Sequence, residues 1–194
     1  ITAYEPAYGI IGDKAKWDPS TRQSADHSMV YIISTMLRNA LKQHASLDPS
    51  SKIEEYWKSL MLTPQDYSGS ALYDPITREL MDKIEFHHGG EAYDSKYPEG
   101  IPSSMEIQTS DGQSVDSGFI MFPGGHARNS SSDKFTDLNN VLQHKFKTLG
   151  ELALEDKDLT EFIGRLESIE DASNEDLRSI YECNLRFAEK SIDA

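Results

Sequence analysis

Ser24-Ala25-Asp26-His27-Ser28-Met29-Val30-Tyr31 is a polar turn that runs straight into an apolar-periodic segment, and it constrains the fold more than any other stretch. Met29, Val30, Ile32, Ile33, Met36, Leu37, Ala40 and Leu41 recur at the helical period. So wide a stripe predicts one long, largely buried helix against which the rest must pack. His27 and Tyr31 are four residues apart, which on a helix places them on one face. Both side chains exchange protons through hydrogen bonds. The first turn of a helix, with free N–H groups and the positive dipole end, favours anions. The pair therefore suits a carboxylate-bearing substrate. The plainer reading is that His27 caps or packs the helix start and Tyr31 is ordinary core.

Three blocks organise the chain. Residues 1–48 read as an opening strand at Ile1-Thr2-Ala3-Tyr4, a loop from Gly9 to Thr21, and the long helix. Residues 49–130 are mixed. Asp74-Pro75 is a helix N-cap followed by proline at the first helical position, opening a short helix through Ile76, Leu80 and Met81. Lys83 to His88 reads as a strand. Ser104–Thr109 and Val115–Phe122 read as two strands of a hairpin around Asp111-Gly112. From residue 133 the pattern is helical. Leu138, Val141, Leu142, Phe146 and Leu149 form one stripe ending at Gly150, and Leu159, Phe162, Ile163 and Leu166 form a second. Ser173-Asn174-Glu175-Asp176 opens a third helix with a capping-box pattern and continues through Leu177, Ile180, Tyr181, Leu185 and Ala188. The expected class is α+β, divided into residues 1–130 and a helical segment at 131–194.

Charge and cysteine usage exclude several functions. A net charge of −14 argues against wrapping nucleic acid, which needs a basic face. Residues 151–194 hold 13 acids and 5 bases, the pattern of a solvated outer helical face. No apolar run of membrane-spanning length occurs, so no membrane partner is expected. With Cys183 alone, the chain forms no internal disulfide and no cysteine-ligated zinc or iron–sulfur site of its own. A reducing compartment fits. Asn129-Ser130-Ser131 matches a glycosylation acceptor, a tripeptide common by chance. The strand-like start at Ile1 suggests a piece of something longer.

Phosphate-loop, dinucleotide, zinc-protease and nucleophile-elbow motifs are all missing. His87 and His88 are adjacent in an expected strand, so their rings point to opposite faces and do not share one metal easily. Gly124-Gly125-His126-Ala127-Arg128 follows the hairpin. Its glycines allow close backbone approach, and His126 with Arg128 can face a carboxylate, although a flexible loop with two exposed polar residues explains it equally well.

Ala25-Asp26-His27-Ser28-Met29-Val30-Tyr31, Tyr97-Pro98 with Ile101-Pro102, Asp111-Gly112, and Phe122-Pro123-Gly124-Gly125-His126-Ala127-Arg128 occur in an order that resembles the MmgE/PrpD family. The likeness is nearest to its 2-methylcitrate dehydratase branch and spans nearly the whole chain. It implies the C-terminal portion of a two-domain enzyme: a small α/β lid domain, then helices that return to a larger helical domain. The implied activity is a metal-independent and cofactor-free hydro-lyase of propionate catabolism (the 2-methylcitrate cycle), removing water from 2-methylcitrate to give 2-methyl-cis-aconitate. Tyr31 is carried over as an acid/base or substrate-orienting group and His27 as its neighbour or a substrate contact. Lys14, in Gly12-Asp13-Lys14, resembles a carboxylate-pairing lysine, and His126 and Arg128 line the implied site. The resemblance also implies a small tricarboxylate as the only ligand, a homodimer through the full-length enzyme, and a mitochondrial matrix location in a eukaryote or a cytoplasmic one otherwise. The family's remaining polar site residues come from the helical domain, upstream of Ile1. Within Phe122-Pro123-Gly124-Gly125 a glycine stands where many relatives carry a larger residue, which suggests a more mobile loop. Two alternatives stay open. One is a relative acting on another small polycarboxylate, by decarboxylating cis-aconitate or by epimerisation. The other is a non-catalytic assembly or binding domain.

Overall fold

The computed structural model describes residues 1–43, 53–129 and 138–187. Two compact units emerge, Ile1–Leu138 and a second beginning at Asn139. The first contains β1 (Thr2–Ala3), α1 (Glu5–Ile11), α2 (Arg22–Asp26), α3 (Met29–Gln43), α4 (Ile53–Leu60), α5 (Gly69–Leu72), α6 (Pro75–Met81), β2 (His87–His88), α7 (Glu91–Asp94), β3 (Ser103–Ser104), β4 (Glu106–Gln108) and β5 (Ser114–Asp116). Short 3-10 turns occupy Lys14–Trp17 and Pro64–Tyr67. Then follow α8 (Leu138–Gly150), α9 (Asp156–Glu167), a 3-10 turn at Ile169–Asp171 and α10 (Asn174–Ser179). The class is α+β, as expected. The expected boundary at 130–131 and the Ser130-Ser131 pair lie outside the described residues. No helix among the described residues is long and apolar enough to cross a membrane.

The strands form a mixed sheet of order β2-β1-β3 and a separate hairpin of β4 and β5. β1 pairs with β2 in parallel, Thr2 opposite His87, and with β3 antiparallel, Thr2 opposite Ser104. A parallel neighbour requires a long crossover, and α1 to α6 all lie within it. The hairpin sets Ile107 opposite Val115. Gly112 turns it with φ +85°, a left-handed conformation that glycine adopts without strain. The strands are shorter than expected: only His87–His88 of the segment from Lys83, and only Ser114–Asp116 of the second hairpin arm.

The long helix is present, but of its apolar stripe only Val30 is fully buried. Val30, Tyr31, Ser34, Thr35 and Arg38 point inward, whereas Met36 is 38% and Leu41 63% exposed. Val30 and Tyr31 join Ala25, Leu72 and Met81 in a core flanked by Trp17, Tyr67, Ile84 and Phe86. α6 packs along α3 and begins where the sequence places it. The Asp74 Oδ1 accepts from the N–H groups of Ile76 at 3.0 Å and Thr77 at 3.1 Å. The segment from Gly9 to Thr21, expected as loop, holds the end of α1 and a 3-10 turn.

In the second unit, Gly150 is the last residue of α8. It serves close approach: a Cβ there would lie 2.4 Å from Leu159 Cδ1. Phe146 stacks on Phe162, with centroids 6.1 Å apart. Ser173 and Asp176 form the expected capping box. The helix it opens ends at Ser179, short of the expected span, and leaves Tyr181 and Leu185 exposed.

Candidate functional site

His27 and Tyr31 do not share a helix, which corrects the spacing argument. His27 is the C-cap of α2, and Ser28 starts α3 by accepting the Tyr31 N–H on its Oγ at 3.2 Å. A serine ahead of an apolar helix takes the N-cap role, so the helical register begins after the histidine. Ser28 Oγ also donates to the Lys16 carbonyl at 2.5 Å. That bond ties the Lys14–Trp17 turn to the start of α3 and brings the Lys14 segment beside His27.

His27 itself is exposed, with Nδ1 2.8 Å from the Gln23 carbonyl. A carbonyl only accepts, so Nδ1 carries the proton and Nε2 of the neutral ring is the acceptor nitrogen. Lys14 is exposed at the first position of its turn.

Tyr31 is enclosed. Its residue is 0% exposed, and its hydroxyl donates to the Asp66 carbonyl at 2.5 Å. The expectation that it shares an accessible helix face with His27, suited to a carboxylate-bearing substrate, is therefore not met. Its ring fills the core, with Tyr67 tilted against it at 6.0 Å. Burial pushes the Tyr31 phenol above its ordinary value, while the nearby Arg38 pulls the other way. Tyr67 is pushed up to about 12 by burial, with Asp26, Tyr31 and Asp66 adding to the shift. Both phenols therefore stay protonated near neutral pH, so each serves as a proton donor and not as a resting base.

The sequence reading missed the polar network around the Tyr31 hydroxyl. Arg38, 6% exposed, donates from Nη2 to Asp66 Oδ1 at 2.9 Å and from Nη1 to Thr77 Oγ1 at 3.2 Å. Asn39 Nδ2 donates to the same Asp66 oxygen at 3.2 Å. Asp66 Oδ2 accepts from Thr63 N at 2.9 Å and Thr63 Oγ1 at 3.2 Å. Asp74 lies 3.7 Å from Arg38 and 3.4 Å from Lys42. Burial raises the Asp74 carboxyl, but the Thr77 N–H, Arg38 and Lys42 outweigh it and hold it below its ordinary range. The one signal available was an arginine inside an apolar stripe.

His126 and Arg128 are anchored elsewhere in the first unit. His126 stacks on Phe122 with centroids 4.8 Å apart, and its Nδ1 accepts the Arg128 N–H at 3.0 Å. Arg128 Nη1 donates to the Glu99 carbonyl at 3.0 Å. Gly125 sits at φ +77° in a turn closed by His126 N on the Pro123 carbonyl at 3.1 Å. Turn geometry at Gly125 calls for glycine, its φ lying in the left-handed region. His87 and His88 diverge as expected, toward Glu85 and Asp94.

A cavity of about 470 Å³ lies between α3, α6 and the strands, floored by Ile33, Leu37, Leu80 and Ile107. Three carboxylates, Glu85, Glu106 and Asp116, line it against the Lys83 ammonium, with His87 beside them. That balance does not suit a tricarboxylate. Among the described residues, no three His, Cys, Asp or Glu side chains cluster to hold a metal ion.

No family model, curated protein or solved structure matches this chain.

Proposed function

We propose that this chain is the lid portion and following helices of a hydro-lyase of the MmgE/PrpD type, acting on 2-methylcitrate. The observation that carries the reading is the order of the four motifs, from Ala25–Tyr31 to Phe122–Arg128. Two structural features support it: an α+β unit built around those motifs, and α8, which leaves Leu142 and Leu149 about half exposed for further helix packing.

The reaction needs a base to remove a proton alpha to a carboxylate, an acid to help the hydroxyl leave, and cations to hold the carboxylates. A protonated Tyr31 fits the acid, the acceptor Nε2 of His27 fits the base and Lys14 fits a carboxylate contact, whereas His126 and Arg128 are anchored elsewhere and enter this reading through the resemblance alone. At rest the Tyr31 hydroxyl is held by the Asp66 carbonyl, and as the acid it exchanges that acceptor for a substrate oxygen.

The enclosure of Tyr31 is also the observation that favours the non-catalytic alternative. One experiment separates them: purified full-length protein is given 2-methylcitrate in the presence of a chelator, and 2-methyl-cis-aconitate is followed. Turnover that collapses in Tyr31→Phe supports the lyase. No turnover on 2-methylcitrate, citrate or cis-aconitate supports an assembly or binding domain.

A further inference from the structure

Asp66 faces two partners at once. Its main-chain carbonyl takes the Tyr31 hydroxyl, and its carboxylate takes the Arg38 guanidinium. Arg38 lies seven residues beyond Tyr31 on α3, two turns along the same buried face. The clamp reaches beyond this pair: Thr63 closes the start of the turn on Asp66 Oδ2, and Thr77 of α6 holds the other guanidinium nitrogen.

We propose that Arg38 is the positioning residue for the Tyr31 hydroxyl. It acts through Asp66, by fixing the Pro64–Tyr67 turn over the ring. The proposal deepens the lyase reading and rests on it for its catalytic consequence, though not for its geometry. Removing the guanidinium takes one anchor from the turn and leaves the largely buried Asp66 carboxylate near the phenol without its cation, held by Thr63 and Asn39. Both effects reach Tyr31 in a way that an ordinary packing residue would not. A buried ion pair is weak evidence of stability in itself, because desolvation offsets its attraction. Its value here lies in geometry.

The test uses the full-length protein with ring-carbon (Cζ) labelled tyrosine, the Tyr31 signal being assigned through Tyr31→Phe. Arg38→Met keeps much of the side-chain volume without the charge, and Arg38→Lys keeps the charge without the planar fork. In folded Arg38→Met the Tyr31 Cζ signal moves and its titration shifts to higher pH, because a cation that favours the phenolate is gone. Arg38→Lys recovers the titration more than the signal position. Turnover of 2-methylcitrate falls roughly tenfold or more with KM changed far less, as expected when a reacting group is misplaced. That loss vanishes in a Tyr31→Phe background. An unmoved Tyr31 signal in folded Arg38→Met overturns the proposal whatever the activity. A moved signal in a protein that turns over none of these acids leaves the positioning intact and rejects the lyase reading instead. If Arg38→Met is too unstable to purify, Asp66→Asn reads the same contact: an unchanged Tyr31 signal there also overturns the proposal.

Discussion

At Tyr31 the ring and the hydroxyl answer to different neighbours, and substitutions separate them. Tyr31→Phe keeps the ring against Ala25, Leu72 and Met81 but strands the Asp66 carbonyl. The expected cost is about 1–2 kcal/mol of stability, the usual range for a lost buried hydrogen-bond partner. Under the lyase reading, turnover of the full-length protein drops roughly 100-fold or more, with KM moving less. Near-normal turnover with weakened affinity would make Tyr31 a binding residue only. Asp74 gives the pH counterpart. Its folded carboxyl is held below the ordinary range, so its stabilising contribution is complete above the unfolded value. That contribution is lost as the pH falls from roughly 4 through the depressed folded value. Urea unfolding between neutral pH and pH 2 should therefore show a shallower acid loss in Asp74→Asn than in wild type. Equal slopes would mean the carboxyl is not coupled to folding.

Two helical glycines make opposite predictions from one propensity. Gly164 in α9 has open space where a Cβ would stand, so Gly164→Ala should stabilise by about 0.5–1 kcal/mol. Gly150 in α8 would put its Cβ against Leu159, which is 2% exposed, so Gly150→Ala should destabilise by about 1–3 kcal/mol. Urea midpoints followed by helical circular dichroism check both, and a stabilised Gly150→Ala would show that Leu159 moves aside freely. The contrast marks what a sequence can and cannot reveal. Local chemistry was readable: Asp74-Pro75 starts α6, Asp111-Gly112 turns the hairpin, and Ser173 with Asp176 caps α10. α1 was missed because Pro6 and Gly9 in so short a segment read as loop. The register of α3 was misjudged by letting the helix begin before its Ser28 cap. Of the Arg38–Asp66–Thr77 cluster only the arginine inside an apolar stripe was visible, since its partners lie 28 and 39 residues away and the fold alone brings them together. Arg38 sits on the buried face of α3 because of that cluster, which the periodicity of apolar residues does not register.

Charge decides what the whole chain can do with a tricarboxylate. The net charge is −14, and the sizeable cavity of the first unit places Glu85, Glu106 and Asp116 against Lys83, which repels rather than collects carboxylates. Among the candidate residues the cations are Lys14 and Arg128, both exposed, and exposed charges attract weakly through water and salt. Lys14 is held beside α3 by the Ser28–Lys16 bond, whereas Arg128 is fastened to the Glu99 carbonyl. Three carboxylates in one pose need more fixed positive charge than these two side chains provide. Under the lyase reading that charge comes from the helical domain of the full-length enzyme. The 194-residue chain by itself is therefore expected to form no 2-methyl-cis-aconitate above background, even at substrate concentrations that saturate the full-length protein. A coupled assay on the two proteins side by side checks this. Normal turnover by the 194-residue chain would overturn it and would place the whole catalytic constellation among residues 1–194. In that event Lys14, His27 and Arg128 become the first positions to substitute, because they are the exposed basic groups among the candidate residues.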